Sequence, residues 1–291
     1  MRKTRIIMQC QVWGRCFNSY SFIPFLRQGW KMISAHIERE IKKHAKRVEP
    51  EECCGVIINR MGHYAYVECK NVAEDPKMNF KISSNELILC ESKGEISAIV
   101  HSHCGSKSLN HLSSNDRISQ YHNPVPWVLL SRGELKIYEP IRKLKGREFV
   151  EGYCDCYDSF RDLYAIAGKE MKPYTPDEGY RIPDWHKEPG AKSPFLEFMG
   201  EEGFHEIEKM EDIEPGDIIL SLLGANIPNH ASVYIGENEI FHHLPGRASG
   251  IETLRRYFID FKHSIWRASD RENLNIEAAI NLLRKEVSVN G

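Results

Sequence analysis

Ile96-Ser97-Ala98-Ile99-Val100-His101-Ser102-His103 reads as a short buried strand that ends in two imidazoles. Successive strand residues point to opposite faces, so positions 101 and 103 fall on the same one. Ser113-Ser114-Asn115-Asp116 follows and supplies a carboxylate at the start of a predicted helix. Two histidines and one carboxylate leave a fourth tetrahedral position for water, the arrangement a catalytic zinc requires. His101, His103 and Asp116 are therefore the candidate metal ligands and zinc is the expected cofactor. It would lower the pKa of its water toward about 7 and polarise a carbonyl. His111 is an extra imidazole in the same loop and reads as a solvated residue.

Working outward, Ile37, Ile41, Ala45 and Val48 recur at helical spacing before Pro50, which predicts an amphipathic helix over 34–48. Residues 55–59 and 64–67 read as a strand pair joined at Met61-Gly62. A strand is expected over 78–82, then a helix from an N-cap at Ser84 through Cys90. Residues 125–130 and 135–138 resemble a closing hairpin. The charged stretch 143–147 holds Gly146 and is the linker candidate. The expected layout is mixed α and β (α+β), with a leader extension over 1–31, one domain over 32–146, a second over 147–270, and a C-terminal helix in 271–291.

The second half opens on Asp155-Cys156. Asp155 is a natural N-cap, and Tyr157, Phe160, Leu163, Tyr164 and Ala167 share one helical face up to Gly168. A thiol in the first turn of a helix is expected to have a lowered pKa, because that end favours the thiolate. Its base is expected at His230, which starts a strand of small and β-branched residues. His242 lies on the next strand of a hairpin turning at Gly236-Glu237-Asn238, where it would orient His230. His243 is the rival for that place. Residues 172–200 are rich in Pro, Gly and charge and read as an irregular surface excursion. Strands are expected at 217–223, 231–235 and 239–242, and a last helix over 273–287.

Upstream of the histidine strand stands Pro50-Glu51-Glu52-Cys53-Cys54-Gly55. With His-x-His and Ser-x-x-Asp it resembles the JAMM (MPN-type) metallopeptidase family. That resemblance implies a curved mixed sheet with flanking helices, Glu52 as general base and Ser113 as a group that helps hold the tetrahedral intermediate. The interval from His103 to Ser113 is about two residues longer than the family's, and Cys104 stands where a proline is common. From Asp155-Cys156 through Pro215-Gly216-Asp217 to the histidine strands, the second half resembles the NlpC-type family of papain-like peptidases. This implies a helix packed on an antiparallel sheet, Cys156 as nucleophile, His230 as base, His242 as orienting residue, and peptidoglycan stem peptides as substrate. The two modules in this order resemble the tail-tip assembly protein K family of lambda-like phages. Other phage tail-tip proteins are then the expected partners, and the bacterial cytoplasm during tail assembly is the expected place, with retention at the virion tail tip left open. The alternative is a morphogenetic scaffold with one or both sites silent.

Composition bounds these readings. The 291 residues suffice for about two domains, and with 41% hydrophobic residues, 27% charged residues and a net charge of -2 nothing demands a nucleic-acid partner. No apolar run approaches the roughly 18–20 residues of a bilayer span, so no membrane insertion is expected. Gln9, Gln11, Arg15, Asn18 and Arg27 interrupt any signal-peptide core. Nine irregularly spaced cysteines, an odd number, fit a reducing compartment better than a disulfide framework.

Overall fold

The computed structural model describes residues 32–286 apart from 106–108, 182–183 and 189. The leader expected over 1–31 and the end of the expected last helix beyond 286 lie outside the described residues.

Ser34 accepts the Ile37 N–H at 3.3 Å and starts α1 (Ala35–Val48), which buries Ile37 and Ile41. β1 (Cys54–Arg60) and β2 (His63–Cys69) form the expected hairpin. Its two-residue turn needs left-handed backbone, and Met61 and Gly62 have φ of 53° and 90°. α2 (Ser84–Glu91), β3 (Glu95–His103), α3 (Ser114–His122), β4 (Trp127–Ser131) and β5 (Glu134–Tyr138) complete the first unit. The sheet order is β2-β1-β3-β4-β5, with β3 and β4 parallel and the other neighbours antiparallel.

Strand alternation divides this unit into two cores. Ile57, Ala98, Val100, Val128 and Leu130 pack with Ile37 and Ile41 of α1. Cys54, Val56 and Ile58 pack with Cys90 of α2, and Trp127 and Leu129 with Leu112. Each fully buried aliphatic side chain there is worth roughly 1.5–3 kcal/mol. The odd-numbered residues of β3 lie away from α1, so His101 emerges on the face where Phe80 stacks on it at 4.4 Å.

In the second unit, α4 (Cys156–Ala167) ends at Gly168, whose φ of 100° makes a left-handed cap. It packs on an antiparallel sheet of β6 (Phe204–Ile207), β7 (Ile218–Ser221), β8 (His230–Gly236), β9 (Glu239–His242), β10 (Gly250–Thr253) and β11 (Lys262–Ala268), in the order β10-β9-β8-β7-β11-β6. Short helices α5 (Pro194–Phe198) and α6 (Arg256–Asp260) lie between strands, and α7 (Ile276–Lys285) packs on α4. The Pro-Gly-Asp turn has a packing reason. Gly216 has φ of 103°, a Cβ there would meet Ile276 Cγ2 at 2.8 Å, and its carbonyl accepts the Tyr164 hydroxyl at 2.6 Å. Asp217 is fully buried and takes two bonds from Arg267, 2.9 Å from Nε and 2.7 Å from Nη2.

Several expectations are corrected. Residues 78–82 form no strand, because the Asn71 side chain claims their backbone: its Oδ1 accepts the Lys81 N–H and its Nδ2 donates to Asn79 O. The N-cap of α2 is Ser83, not Ser84. The 172–200 segment is more than a surface excursion, since Tyr174, Arg181, Phe195 and Met199 are buried. Strands β6, β10 and β11 were not foreseen.

Between the two sheets, Leu144 is fully buried and Gly146 N–H donates to Ser249 O at 2.8 Å. The Glu286 carboxylate, after α7, accepts the Leu144 and Lys145 N–H groups at 2.8 Å each and the Tyr121 hydroxyl of α3. Ser114 Oγ of α3 donates to Ile166 O of α4 at 2.9 Å, and Ile118 and Tyr121 pack on the second core. The two units are thus joined helix to helix.

Candidate functional site

The first constellation forms where β3 ends beside the start of α3. Ser113 and Asp116 make a reciprocal capping box: Ser113 Oγ accepts the Asp116 N–H at 3.2 Å, while Asp116 Oδ2 accepts the Ser113 N–H at 2.9 Å and its hydroxyl at 2.6 Å. The Ser-x-x-Asp spacing therefore turns the carboxylate back over the helix start, toward the histidines.

Three atoms converge there. His101 Nε2 and His103 Nε2 are 3.2 Å apart, and Asp116 Oδ2 lies 3.6 Å from the first and 3.3 Å from the second. An ion held at about 2.0–2.1 Å from tetrahedral donors spaces them about 3.3 Å apart, so this triangle fits a small divalent metal. His103 Nδ1 lies 2.9 Å from Leu109 O, an acceptor only, so it carries the ring proton and leaves the Nε2 lone pair for a metal. Burial pushes the Asp116 carboxyl up, but His101, His103 and Ser113 overrule it and hold it well below the usual range. His111 is not part of the triangle.

Glu52 sits just before β1, anchored by its N–H to Pro76 O at 2.7 Å and by Asn71 Nδ2 to its carbonyl at 3.0 Å. Its side chain is only 5% exposed. Burial raises its carboxyl to about 7, with nearby His103 lowering it and Asp116 raising it. The expected base and ligands thus share one electrostatic neighbourhood.

The second constellation lies between α4 and β8. Asp155 caps α4, its Oδ1 accepting the Tyr157 N–H at 2.8 Å and the Asp158 N–H at 3.3 Å. Cys156, in the first turn, is buried, and the Ala231 backbone N–H, one residue from His230, is close enough to act on its thiol in the lowering direction. Among the described residues no hydrogen bond joins the thiol to the His230 ring directly. His242 pairs with Ser232, two residues along β8 from His230, so both imidazoles share a face. His230 Nε2 and His242 Nδ1 are 3.1 Å apart, which leaves His230 Nδ1 as the nitrogen available to the thiol. His243 instead packs edge-on against Phe149 at 5.1 Å. Cys154 is buried in the turn before α4, where Val150 and Cys154 form a bridge.

The electrostatics correct one expectation. The Cys156 thiol is pushed up, not down: burial is the largest cause and the Asp155 carboxylate the next, against the lowering by the Ala231 N–H and Arg181. His230 is held well below its ordinary value by burial and by His242 and His243. Both shifts favour the uncharged forms, thiol and imidazole.

Two residues escaped the sequence reading. Glu252 of β10 brings Oε1 to 3.7 Å from His242 Nε2, in a strand that was not foreseen. Arg181 is buried against Asp155 and Asp158, from within the stretch read as irregular. The one signal for it was the pair of acids at the N-cap and third position of an otherwise apolar helix, which call for a cation.

Residues 34–141 match the family described as prokaryotic homologs of the JAB domain. The tail tip assembly protein K of Escherichia phage lambda is 35% identical over 193 residues, covering 65% of this chain and 92% of that protein. The protein of the same name from Escherichia phage N15 is 28% identical over 217 residues, 72% of this chain and 84% of that one. Among solved structures, an NlpC/P60 family protein from Bacillus cereus aligns with a TM-score of 0.34 at 13% identity, over 79% of this chain and 66% of that one. An NLP/P60 family lipoprotein-like protein from Staphylococcus aureus aligns with a TM-score of 0.29 at 12% identity, over 79% and 61%. The chain spans under two thirds of the length of either solved structure.

Proposed function

The chain belongs to the tail tip assembly protein K family, and on that premise we propose that it is a phage tail-tip protein carrying a thiol peptidase site and a zinc peptidase site. The observation that carries the reading is the buried imidazole pair at 3.1 Å on β8 and β9, the sheet against which α4 packs with a thiol in its first turn.

At the thiol site, Cys156 Sγ attacks the carbonyl carbon of a peptide bond as its proton passes to His230. The imidazole returns that proton to the leaving amine, and water then hydrolyses the thioester through the same base. Starting from the neutral pair, His230 must accept the proton during attack, and its lowered basicity is tolerable because the C–S bond and the oxyanion form together with that transfer; the thioester follows when the amine leaves with the returned proton. His242 holds the ring through Nε2. The substrates proposed are stem peptides of bacterial peptidoglycan.

His101, His103 and Asp116 would hold zinc in the first unit. Bound there, zinc supplies a water of lowered pKa and polarises the scissile carbonyl. Glu52, with its carboxyl near 7, is suited to take up a proton at neutral pH and deliver it to a leaving amine. Ser113 orients the Asp116 ligand through its 2.6 Å bond. To hold a tetrahedral intermediate as well, its hydroxyl would have to turn away from that carboxylate.

The proposed partners are other tail-tip proteins, met in the host cytoplasm during assembly. No helix among the described residues is long and apolar enough to cross a membrane. The scaffold alternative is favoured by one observation, the burial of Cys156, which disfavours its thiolate. Incubating the protein with muropeptides, with and without chelator, separates the two by product mass. Chelator-resistant cleavage that vanishes in Cys156→Ala supports the peptidase, and intact muropeptides in every arm support the scaffold.

A further inference from the structure

Asp155 and Asp158 flank Cys156 in the first turn of α4, and both are buried. Two carboxylates beside a thiol that must lose its proton oppose that step unless a cation meets them. The cation comes from 26 residues along the chain. Arg181 is 6% exposed and spends all five of its N–H donors on this corner. Nη1 donates to both oxygens of Asp155 at 2.7 Å, and both terminal nitrogens lie 3.2 Å from Asp158 Oδ2. Nη2 also donates to Gly152 O at 2.8 Å and Pro173 O at 2.9 Å, and Nε to Tyr174 O at 2.9 Å. The guanidinium lies 4.6 Å from the centre of the Tyr157 ring. Residues 155, 157 and 158, which surround the thiol in sequence, are therefore all held by one side chain.

The backbone points the same way. Arg181 has φ of 41°, in the left-handed region that a non-glycine residue occupies at a cost. A residue kept there, inside a loop of little regular structure, is over-determined by its contacts.

We propose that Arg181 is a positioning residue for the Cys156 nucleophile: it locks the Asp155 and Asp158 carboxylates and so fixes the turn and the charge balance around the thiol. The inference deepens the thiol-peptidase reading and rests on it. Further along α4, Arg161 pairs with Asp158 Oδ1 at 2.9 Å, and Asp162 is met by Arg161 and by Arg147 from the junction. From the sheet side the Ala231 N–H, next to His230 in β8, acts on the thiol in the lowering direction. The three acids and three arginines balance. Without Arg181 the cluster carries one uncompensated negative charge, and removing one acid restores the balance.

The test is the pH profile of Cys156 alkylation by iodoacetamide, read by peptide mass in the full chain. Arg181→Met is expected to move the profile up by about one pH unit or more, a rate about tenfold lower at fixed pH on its rising limb. Arg181→Met/Asp158→Asn, with the charge rebalanced, is expected to react within about threefold of wild type, whereas a loss due only to packing would stay uncorrected. A folded Arg181→Met protein with the wild-type profile overturns the inference. If the single variant does not fold, the double variant decides, and a rate about tenfold below wild type overturns it. A wild-type Cys156 that stays unlabelled at every pH overturns the nucleophile reading and this inference with it, while a labelled wild type with an indifferent Arg181 sinks the inference alone.

Discussion

Replacing Glu52 by glutamine deletes a charge that the fold carries at a cost. Burial is the largest cause of its raised carboxyl, which sits at about 7 against an ordinary 4.5. His103 opposes the rise, while Asp116 and Asp75 add to it. A carboxyl with its folded-state pKa raised contributes stability that is fully present below the unfolded value and is lost as pH rises through the folded one. The loss here begins near 4.5, grows through the interval to about 7 and is complete above it. A rise from 4.5 to about 7 corresponds to about 3 kcal/mol. Glutamine is nearly isosteric and neutral throughout, so it escapes this cost. Urea unfolding with chelator present measures the difference. Glu52→Gln is expected to exceed wild type by under about 1 kcal/mol near pH 5 and by about 3 kcal/mol near pH 8. Added zinc should narrow the gap, because a cation at the neighbouring ligands stabilises the carboxylate. A gap that does not change with pH, or a wild type more stable than the variant near pH 8, refutes the reasoning.

Metal analysis after dialysis should find about one zinc per chain in wild type and in Glu52→Gln, and little in His103→Ala or Asp116→Ala, which each delete one of three donors. Equal zinc in all four proteins would remove the ligand assignment. His242→Ala should keep a partial rate of muropeptide cleavage while His230→Ala keeps almost none, because only the second deletes the base; equal rates would take away the orienting role. Arg267→Met strands the fully buried Asp217 carboxylate and should cost about 3 kcal/mol, the low end for a broken buried pair because Arg267 is partly exposed and Arg271 lies 3.9 Å away. Asp217→Asn/Arg267→Met should cost less than Arg267→Met alone; a single variant within about 1 kcal/mol of wild type in urea unfolding argues against the pair as a structural anchor.

Elements whose signal is periodic were legible. The Ile37 and Ile41 spacing, the Met61-Gly62 turn and the apolar face of α4 each carry their own local reason, and the structure follows them. The two candidate sites were legible for a related cause, since His-x-His needs only strand alternation and Ser-x-x-Asp only one helical turn. What was not legible depends on distant partners. Residues 78–82 lost their strand to a single asparagine side chain at Asn71. Arg181 sits where no pattern marks it, and its meaning comes entirely from Asp155 and Asp158. The Cys156 thiol follows the same rule. A helix start is visible in sequence, but the burial that raises the thiol comes from the rest of the fold packing over that turn.

The junction sealed by Glu286 also sets an order of events in time. Leu144 and Lys145 are made early, and the carboxylate that binds their N–H groups lies 142 and 141 residues later. At about 5–20 residues per second, a ribosome needs on the order of ten seconds to add that interval. Throughout it the first sheet can form from its own strands, while Ile118, Tyr121 and the Leu144 backbone wait without the core they will pack on. The nascent first half therefore leaves Ile118 and Tyr121 of α3 uncovered until the second core is made.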